Sequence, residues 1–217
     1  MLNEHLRPGA SLNEDLIATA IDDGIFTSEA DGMTTAQGSG EHDALITGDE
    51  LARLPDHELT ELIDGRIVSL SPTNSEHGRL EANVSRALGN YVSTQKLGLV
   101  LVGEVGIFTR WNPDRVRGAD VVFISHAQYD RRTKTRGFLD VAPELVVEVL
   151  SPERPDIDQK VVEYLAIGVR LVLVVDPDAR IITARRPDGT VRTYQESEVV
   201  PCEDVVPGFG LAVAEVM

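Results

Sequence analysis

The sequence predicts an α/β (α+β) fold, with one central mixed β-sheet flanked by helices and a C-terminal β-hairpin. Three observations predict it. The runs ELVVEVL at 144–150 and RLVLVV at 170–175 have the length and β-branched content of strands. Apolar residues at helical spacing mark a long amphipathic helix between about 75 and 95. The two kinds of segment then alternate along the chain, which favours helices layered on a sheet.

Taken in order, Thr47-Gly48-Asp49-Glu50 caps a short helix running through LARL at 51–54. The string TELIDGRIVSLSP at 60–72 reads as two short strands folded at Asp64-Gly65, a favoured hairpin turn. The long helix follows, with Leu80, Val84, Leu88 and Tyr91 on one stripe. Strands are expected at 98–103, 105–110 and 119–124, then a polar loop over 127–138. The strand at 144–150 stops at Ser151-Pro152, because proline removes a donor and restricts the residue before it. A helix at 156–167 ends at Gly168. The strand at 170–175 stops at Asp176-Pro177, and a hairpin over 180–194 turns at Pro187-Asp188-Gly189. No internal repeat is visible.

The chain has 217 residues, room for one ordinary domain and a tail. Its 42% apolar and 26% charged content excludes a fully disordered or fibrous chain. No apolar run reaches the ~18 residues of a membrane span, so no membrane partner is expected. The start MLNEHLRPGASLNEDL lacks the basic and apolar regions of a secretory signal, and the expectation is a cytoplasmic protein. A single cysteine, Cys202, excludes a disulfide framework and a CxxC zinc site.

The formal charge is −16, from 20 basic and 36 acidic residues. Taken whole, it opposes nucleic-acid binding, which relies on Lys and Arg neutralising phosphates. The charge is unevenly spread, however. Residues 1–48 hold nine acids and only Arg7, and 27–43 are small and polar. Such a stretch buries too little surface to offset its ordering entropy. Residues 1–45 therefore read as an acidic, mostly flexible extension with a short amphipathic helix near 11–21, and 46–217 as the folded domain. Conversely, 107–136 carries seven bases against three acids, with Trp111 among them and Asp120 bracketed by them. That stretch is either a pair of solvated loops or a surface on which a base or sugar stacks.

Glu148 demands an explanation first. It sits inside an apolar run that reads as a strand buried on both faces, with Val146, Glu148 and Leu150 on one side and Leu145, Val147 and Val149 on the other. A carboxylate there needs a partner, since an unpaired buried charge costs several kcal/mol. An arginine, a metal ion or a catalytic arrangement would each serve. Asp120 heads the apolar strand VVFI and poses the same problem. Two acids on neighbouring strands are a way to hold a divalent cation, because Mg²⁺ prefers oxygen ligands.

The strings ELIDGRIVSLSP, His77, ADVVFIS, PELVVEVLSP and DQKVVEYLAIGVRLVLVVDP together resemble the putative restriction endonuclease family of bacterial proteins. That family belongs to the PD-(D/E)XK, restriction-endonuclease-like superfamily. The resemblance covers about 46–217, including the closing Pro207-Gly208-Phe209. It implies a restriction-endonuclease-like core with the active site where two strands diverge. By this resemblance Asp120 and Glu148 are metal ligands, the Val149 backbone carbonyl a further one, and Glu61 an auxiliary acid. The superfamily lysine, two residues after the second acid, is replaced by Leu150; Lys160 matches a lysine supplied from the following helix. Asp120, Glu148 and Lys160 are then the catalytic set, and His77, Arg117 and Tyr164 are candidates for substrate binding.

The implied reaction is Mg²⁺- or Mn²⁺-assisted phosphodiester hydrolysis, with DNA as the expected partner and a homodimer as a candidate assembly. Ala119 stands where the family usually has proline, and Thr60 where a tyrosine is common. The competing reading is a non-catalytic metal- or partner-binding module of the same fold; a hydrolase of another phosphate ester is a third. A Ser-His-Asp hydrolase is disfavoured, because Ser71, Ser75 and Ser151 lack a GxSxG elbow.

Overall fold

A computed structural model describes residues 45–55, 59–134, 137–151 and 156–217. The chain divides into two units, Met1–Glu41 and His42–Met217, and the second contains every described element. The expected acidic extension and the helix near 11–21 lie outside the described residues. Among those described, no helix is long and apolar enough to cross a membrane.

The first element is α1 (Gly48–Leu51), closed by a capping box: Thr47 Oγ1 accepts from the Glu50 amide at 3.2 Å, and Glu50 accepts from the Thr47 amide at 2.7 Å. Strands β1 (Thr60–Ile63) and β2 (Arg66–Ser69) form the expected hairpin. Its turn residues Asp64 and Gly65 both have positive φ, 54° and 78°, which is why Asp-Gly suits the position. Helix α2 (Ser75–Gln95) starts at Asn74, whose side chain accepts from the His77 amide. It buries His77, Leu80, Val84, Leu88 and Val92, so its stripe ends on Val92. Tyr91 lies at the stripe's edge, where its hydroxyl donates to the Pro207 carbonyl at 2.9 Å.

The middle of the chain departs from expectation. One strand, β3 (Gly98–Arg110), replaces the two expected, and the break between them is a bulge at Gly103 and Glu104, both with positive φ. Strand β4 (Arg115–Ser125) begins four residues earlier than its apolar core, since Arg115 and Arg117 are strand residues with carboxylate partners from elsewhere in the chain. Helix α3 (His126–Tyr129), capped by Ser125, occupies the start of the expected loop. Strand β5 (Leu145–Val149), helix α4 (Ile157–Ala166), strand β6 (Leu171–Asp176) and the hairpin β7 (Ile181–Arg185) with β8 (Val191–Gln195) fall where the periodicity puts them. Strands β9 (Val199–Pro201) and β10 (Gly210–Ala212) pair as a separate two-stranded sheet, followed by α5 (Val213–Val216). At three residues each, they are too short to carry an alternation signal.

The main sheet runs β2-β1-β4-β5-β6-β7-β8, with β3 also paired to β4; β5 and β6 are parallel and the other pairs antiparallel. On one face, Leu80, Val84 and Leu88 of α2 pack on Phe123, Leu145, Val147 and Leu171, with Val200, Val206 and Val216 closing that side. On the other, Val161 and Tyr164 of α4 pack on Val122, Val146 and Val172. Every residue of β5 is therefore buried. Each such Val or Leu contributes about 1.5–3 kcal/mol relative to exposure.

Strand β4 is the hinge of the layout. Strand β3 occupies one of its edges, so β1 and β5 share the other. Strand β1 meets β4 at Val116, and β5 meets it only from Val121 onward. Between them, residues 117–120 have no strand neighbour on that edge, and side chains take over the hydrogen bonding.

Candidate active site in the gap beside strand β4

Gly118 shows how the gap is filled. Its amide donates to Glu61 Oε1 at 2.9 Å, and its carbonyl accepts from the Tyr164 hydroxyl at 3.0 Å. Buried backbone groups need partners, and here a carboxylate from β1 and a phenol from α4 replace the missing ladder. Asp120 does the same at the far end, its Oδ2 accepting from the Val149 amide at 2.6 Å. Continuing the β4–β5 register by one step sets Asp120 opposite Glu148.

Glu148 is buried among three elements. Its Oε2 lies 2.8 Å from the Lys160 ammonium and its Oε1 accepts from the Tyr164 hydroxyl at 2.8 Å. Lys160 is itself buried, 3.6 Å from Glu61 on its other side. Helix α4 crosses behind β5, and Lys160 and Tyr164, one turn apart, face the strand together. His77 reaches in from the first turn of α2, with Nε2 3.3 Å from Asp120 Oδ2.

Arg117 is the central cation of the gap. Its Nη1 donates to Glu61 at 2.8 Å and to Asp156 at 2.7 Å, and its Nε donates to Glu163 at 2.8 Å. Arg115 pairs with Glu163 and Asp64, and Gln159 donates to Glu163 at 2.9 Å. Glu163 and Asp156 were not singled out from the sequence, although both stand at helical spacing from Lys160, Glu163 on α4 at i+3 and Asp156 at its N-cap, at i−4. An acid at helical spacing from a candidate lysine was the available signal.

The buried charged and imidazole side chains among the described residues are Glu61, His77, Arg117, Asp120, Glu148, Lys160 and Glu163. All seven belong to this one cluster. Four carboxyl groups face one guanidinium and one ammonium, an excess of acidic over basic groups. The strain appears in the proton affinities. Burial pushes the Glu148 carboxyl up to about 8, with nearby Asp120 adding to the rise and Lys160 opposing it. Burial acts the same way on Asp120, but His77, the Val149 amide and Lys160 prevail and hold it below the ordinary carboxylate value. Burial works against the Lys160 ammonium, yet Glu148 and Glu61 carry its pKa above that of an ordinary lysine.

These groups fit a divalent cation. Asp120 and Glu148 supply oxygen donors at the mouth of two diverging strands, the Val149 carbonyl follows directly in sequence, and the excess of acidic groups suits the charge of a 2+ ion. Among the described residues, no three His, Cys, Asp or Glu side chains gather around one metal position, so waters would complete the coordination. A cavity of about 320 Å³ opens on the cluster, lined by Glu61, Arg117, Asp156, Lys160 and residues 68–73 at and beyond the end of β2. A second, of about 530 Å³, reaches His77 from the far side of Ser151.

A family model described as "putative restriction endonuclease" (Uma2) matches residues 49–214. The chain belongs to the Uma2 family. At the level of that family its function is nuclease-like. The match spans the whole cluster, from Glu61 to Tyr164. A solved structure of a putative nuclease belonging to DUF820 from Anabaena variabilis superposes with a TM-score of 0.66 at 20% identity. It covers 79% of this chain and 97% of its own, and it supports the nuclease-like mixed α/β fold expected from the sequence. A search of curated proteins gave no match.

Outside the gap, the basic stretch resolves into separate groups. Trp111, 53% exposed at the β3–β4 turn, stacks on Phe108 with ring centroids 4.0 Å apart, and Lys134 lies over both rings. Arg132 covers the Tyr129 ring instead. Arg117, read from sequence as a substrate contact, faces inward on three carboxylates.

Proposed function

We propose that this protein is a divalent-metal-dependent endonuclease that hydrolyses phosphodiester bonds in DNA. The observation that carries the reading is the gathering of all seven buried charged and imidazole side chains among the described residues, with acids in excess of bases, where β1 and β5 part along β4.

Asp120 and Glu148 would hold Mg²⁺ or Mn²⁺, with the Val149 carbonyl beside them and Glu61 one residue removed through Lys160. A divalent ion held there would supply Lewis acidity toward the phosphoryl group and would make water more acidic. Asp120 is kept ionised and oriented by the Val149 amide and His77. Lys160 carries a fixed positive charge to the edge of the cavity, where it stabilises negative charge developing on the phosphate without reorganisation. Tyr164 holds Glu148 in place through one oxygen and leaves the other to Lys160. DNA would be met by the exposed Trp111 ring and its cationic neighbours, while the acidic remainder of the surface disfavours tight nonspecific binding.

The test is nicking of supercoiled plasmid by purified protein with Mg²⁺ or Mn²⁺. Wild type converts supercoiled to open-circular or linear DNA, chelator stops it, and Asp120→Ala or Glu148→Ala abolishes it. Cleavage surviving both substitutions would overturn the site. A wild type inert across metals and DNA forms would support the non-catalytic module of the same fold.

A further inference from the structure

We infer that Arg117 is the positioning residue for Lys160, clamping the helix that carries the lysine rather than contacting substrate. The inference rests on the nuclease reading above for its kinetic consequences and on geometry alone for the clamp itself.

The lysine reaches the site from α4 and not from β5, so its position depends on how the start of α4 is anchored. That start is unusual. Asp156 occupies the N-cap position, where an aspartate ordinarily accepts a bond from an amide one turn on, yet it makes no side-chain cap bond. Its carboxylate turns instead to Arg117 Nη1 at 2.7 Å. The same guanidinium grips α4 a second time, at Glu163, through Nε at 2.8 Å and Nη2 at 3.2 Å. Positions 156 and 163 flank Lys160 by four residues before and three after, so both stand at helical spacing from it.

The third contact closes the device. Arg117 Nη1 also binds Glu61 at 2.8 Å, and Glu61 Oε1 lies 3.6 Å from the Lys160 ammonium. One planar fork thus fixes the helix on both sides of the lysine and the carboxylate beside its charge. A guanidinium suits this task because its donors diverge in a rigid plane. Glu61, Glu163 and Asp156 engage four of its five N–H donors, so its main engagement is with protein carboxylates. The clamp also replaces what sequence alone supplies elsewhere: α4 has ten residues, and isolated helices of that length are marginal.

The experiment compares wild type, Arg117→Ala, Arg117→Lys and Asp156→Ala in the full chain. Two readouts are taken: kcat and KM for plasmid nicking with Mg²⁺, and amide hydrogen exchange across α4. The Lys160 amide, which donates to the Asp156 carbonyl at 3.1 Å, reports the first turn directly. Arg117→Ala should lower kcat about 100-fold, the scale of a small misplacement of a catalytic group, with KM within about twofold. Exchange at Lys160 should rise at least about tenfold while β5 and β6 keep their protection. Arg117→Lys should recover only part of either effect. Asp156→Ala removes an exposed partner that the core does not need, and should move both readouts the same way by a smaller factor.

A rise in KM with kcat retained would make Arg117 a substrate contact and overturn the clamp. Unchanged exchange in Arg117→Ala or Asp156→Ala would overturn it as well. If wild type cleaves nothing, the nuclease reading fails, and exchange still decides the clamp.

Discussion

The Lys160 ammonium sits 2.8 Å from Glu148 Oε2, although twelve residues and a change of element separate them. In this chain the strand does not supply both, because the position two residues after Glu148 is Leu150, which packs with Val146 against the face that α4 covers. The helix therefore lowers the lysine onto the strand, and each of the pair supplies the other with a buried partner of opposite charge.

Removing one partner should expose that dependence. Above about pH 8, where Glu148 is ionised, Lys160→Ala leaves it buried with only Tyr164 and should cost about 3–5 kcal/mol of metal-free stability. Chemical denaturation with chelator present measures it. The double variant Lys160→Met with Glu148→Gln should be less destabilised than Lys160→Ala, since no buried charge then lacks a partner. A double variant no more stable than Lys160→Ala would show that the pair is not coupled.

Glu148 should also set a pH dependence. Its folded-state carboxyl is pushed up to about 8 from its ordinary 4.5, chiefly by burial. Folding then takes up a proton, so this contribution is complete below 4.5 and is lost as pH rises towards 8. The metal-free melting temperature should fall across that window, and Glu148→Gln should flatten the fall. Mg²⁺ binding, which needs the carboxylate ionised, should strengthen over the same range and reduce the slope.

Trp111 is the only tryptophan, so its fluorescence reports one place. If its open face meets DNA, single-stranded oligonucleotide should quench it saturably in Ca²⁺ buffer, and raising salt should reverse the quench. Trp111→Ala should weaken binding by about 1–3 kcal/mol, the value of one base stacked on an aromatic ring. Quenching that persists unchanged at high salt, or none at all, would remove Trp111 from the DNA surface.

Tyr164→Phe deletes one hydroxyl that serves both the Gly118 carbonyl and Glu148. The ring still fills its place against Val122 and Val146, so the fold should survive. The expected loss is about 1–3 kcal/mol of stability, from the loss of the single hydroxyl proton that these two buried groups share. A melting curve identical to wild type would mean that both groups find other partners.

Much of this protein was legible without coordinates. The strand at 144–150, the helices at 75–95 and 156–167 and the two Asp-Gly turns follow from local periodicity and turn chemistry, because each depends on neighbours within a few residues. Glu148 declared itself as an acid in an apolar strand, and its faces were assigned by simple alternation. Lys160 carried no such signal. It is one polar residue in a helix start, and only resemblance to a family singled it out.

Other features depended on contacts distant in sequence. The bulge at Gly103–Glu104 and the early start of β4 rest on pairing with partners no local pattern encodes. The Glu61–Arg117–Glu163–Asp156 network joins residues up to 102 positions apart, counting from Glu61 to Glu163. The sequence by itself determined the longer, strongly periodic elements, the layered class and the two carboxylates as candidates. Tertiary structure alone decided that β1 and β5 leave a gap along β4, that charged side chains fill it, and that Arg117 faces the helix. The reason is physical: strand and helix periods are local properties, whereas the cost of a buried charge is offset only by partners that the folded chain brings to it.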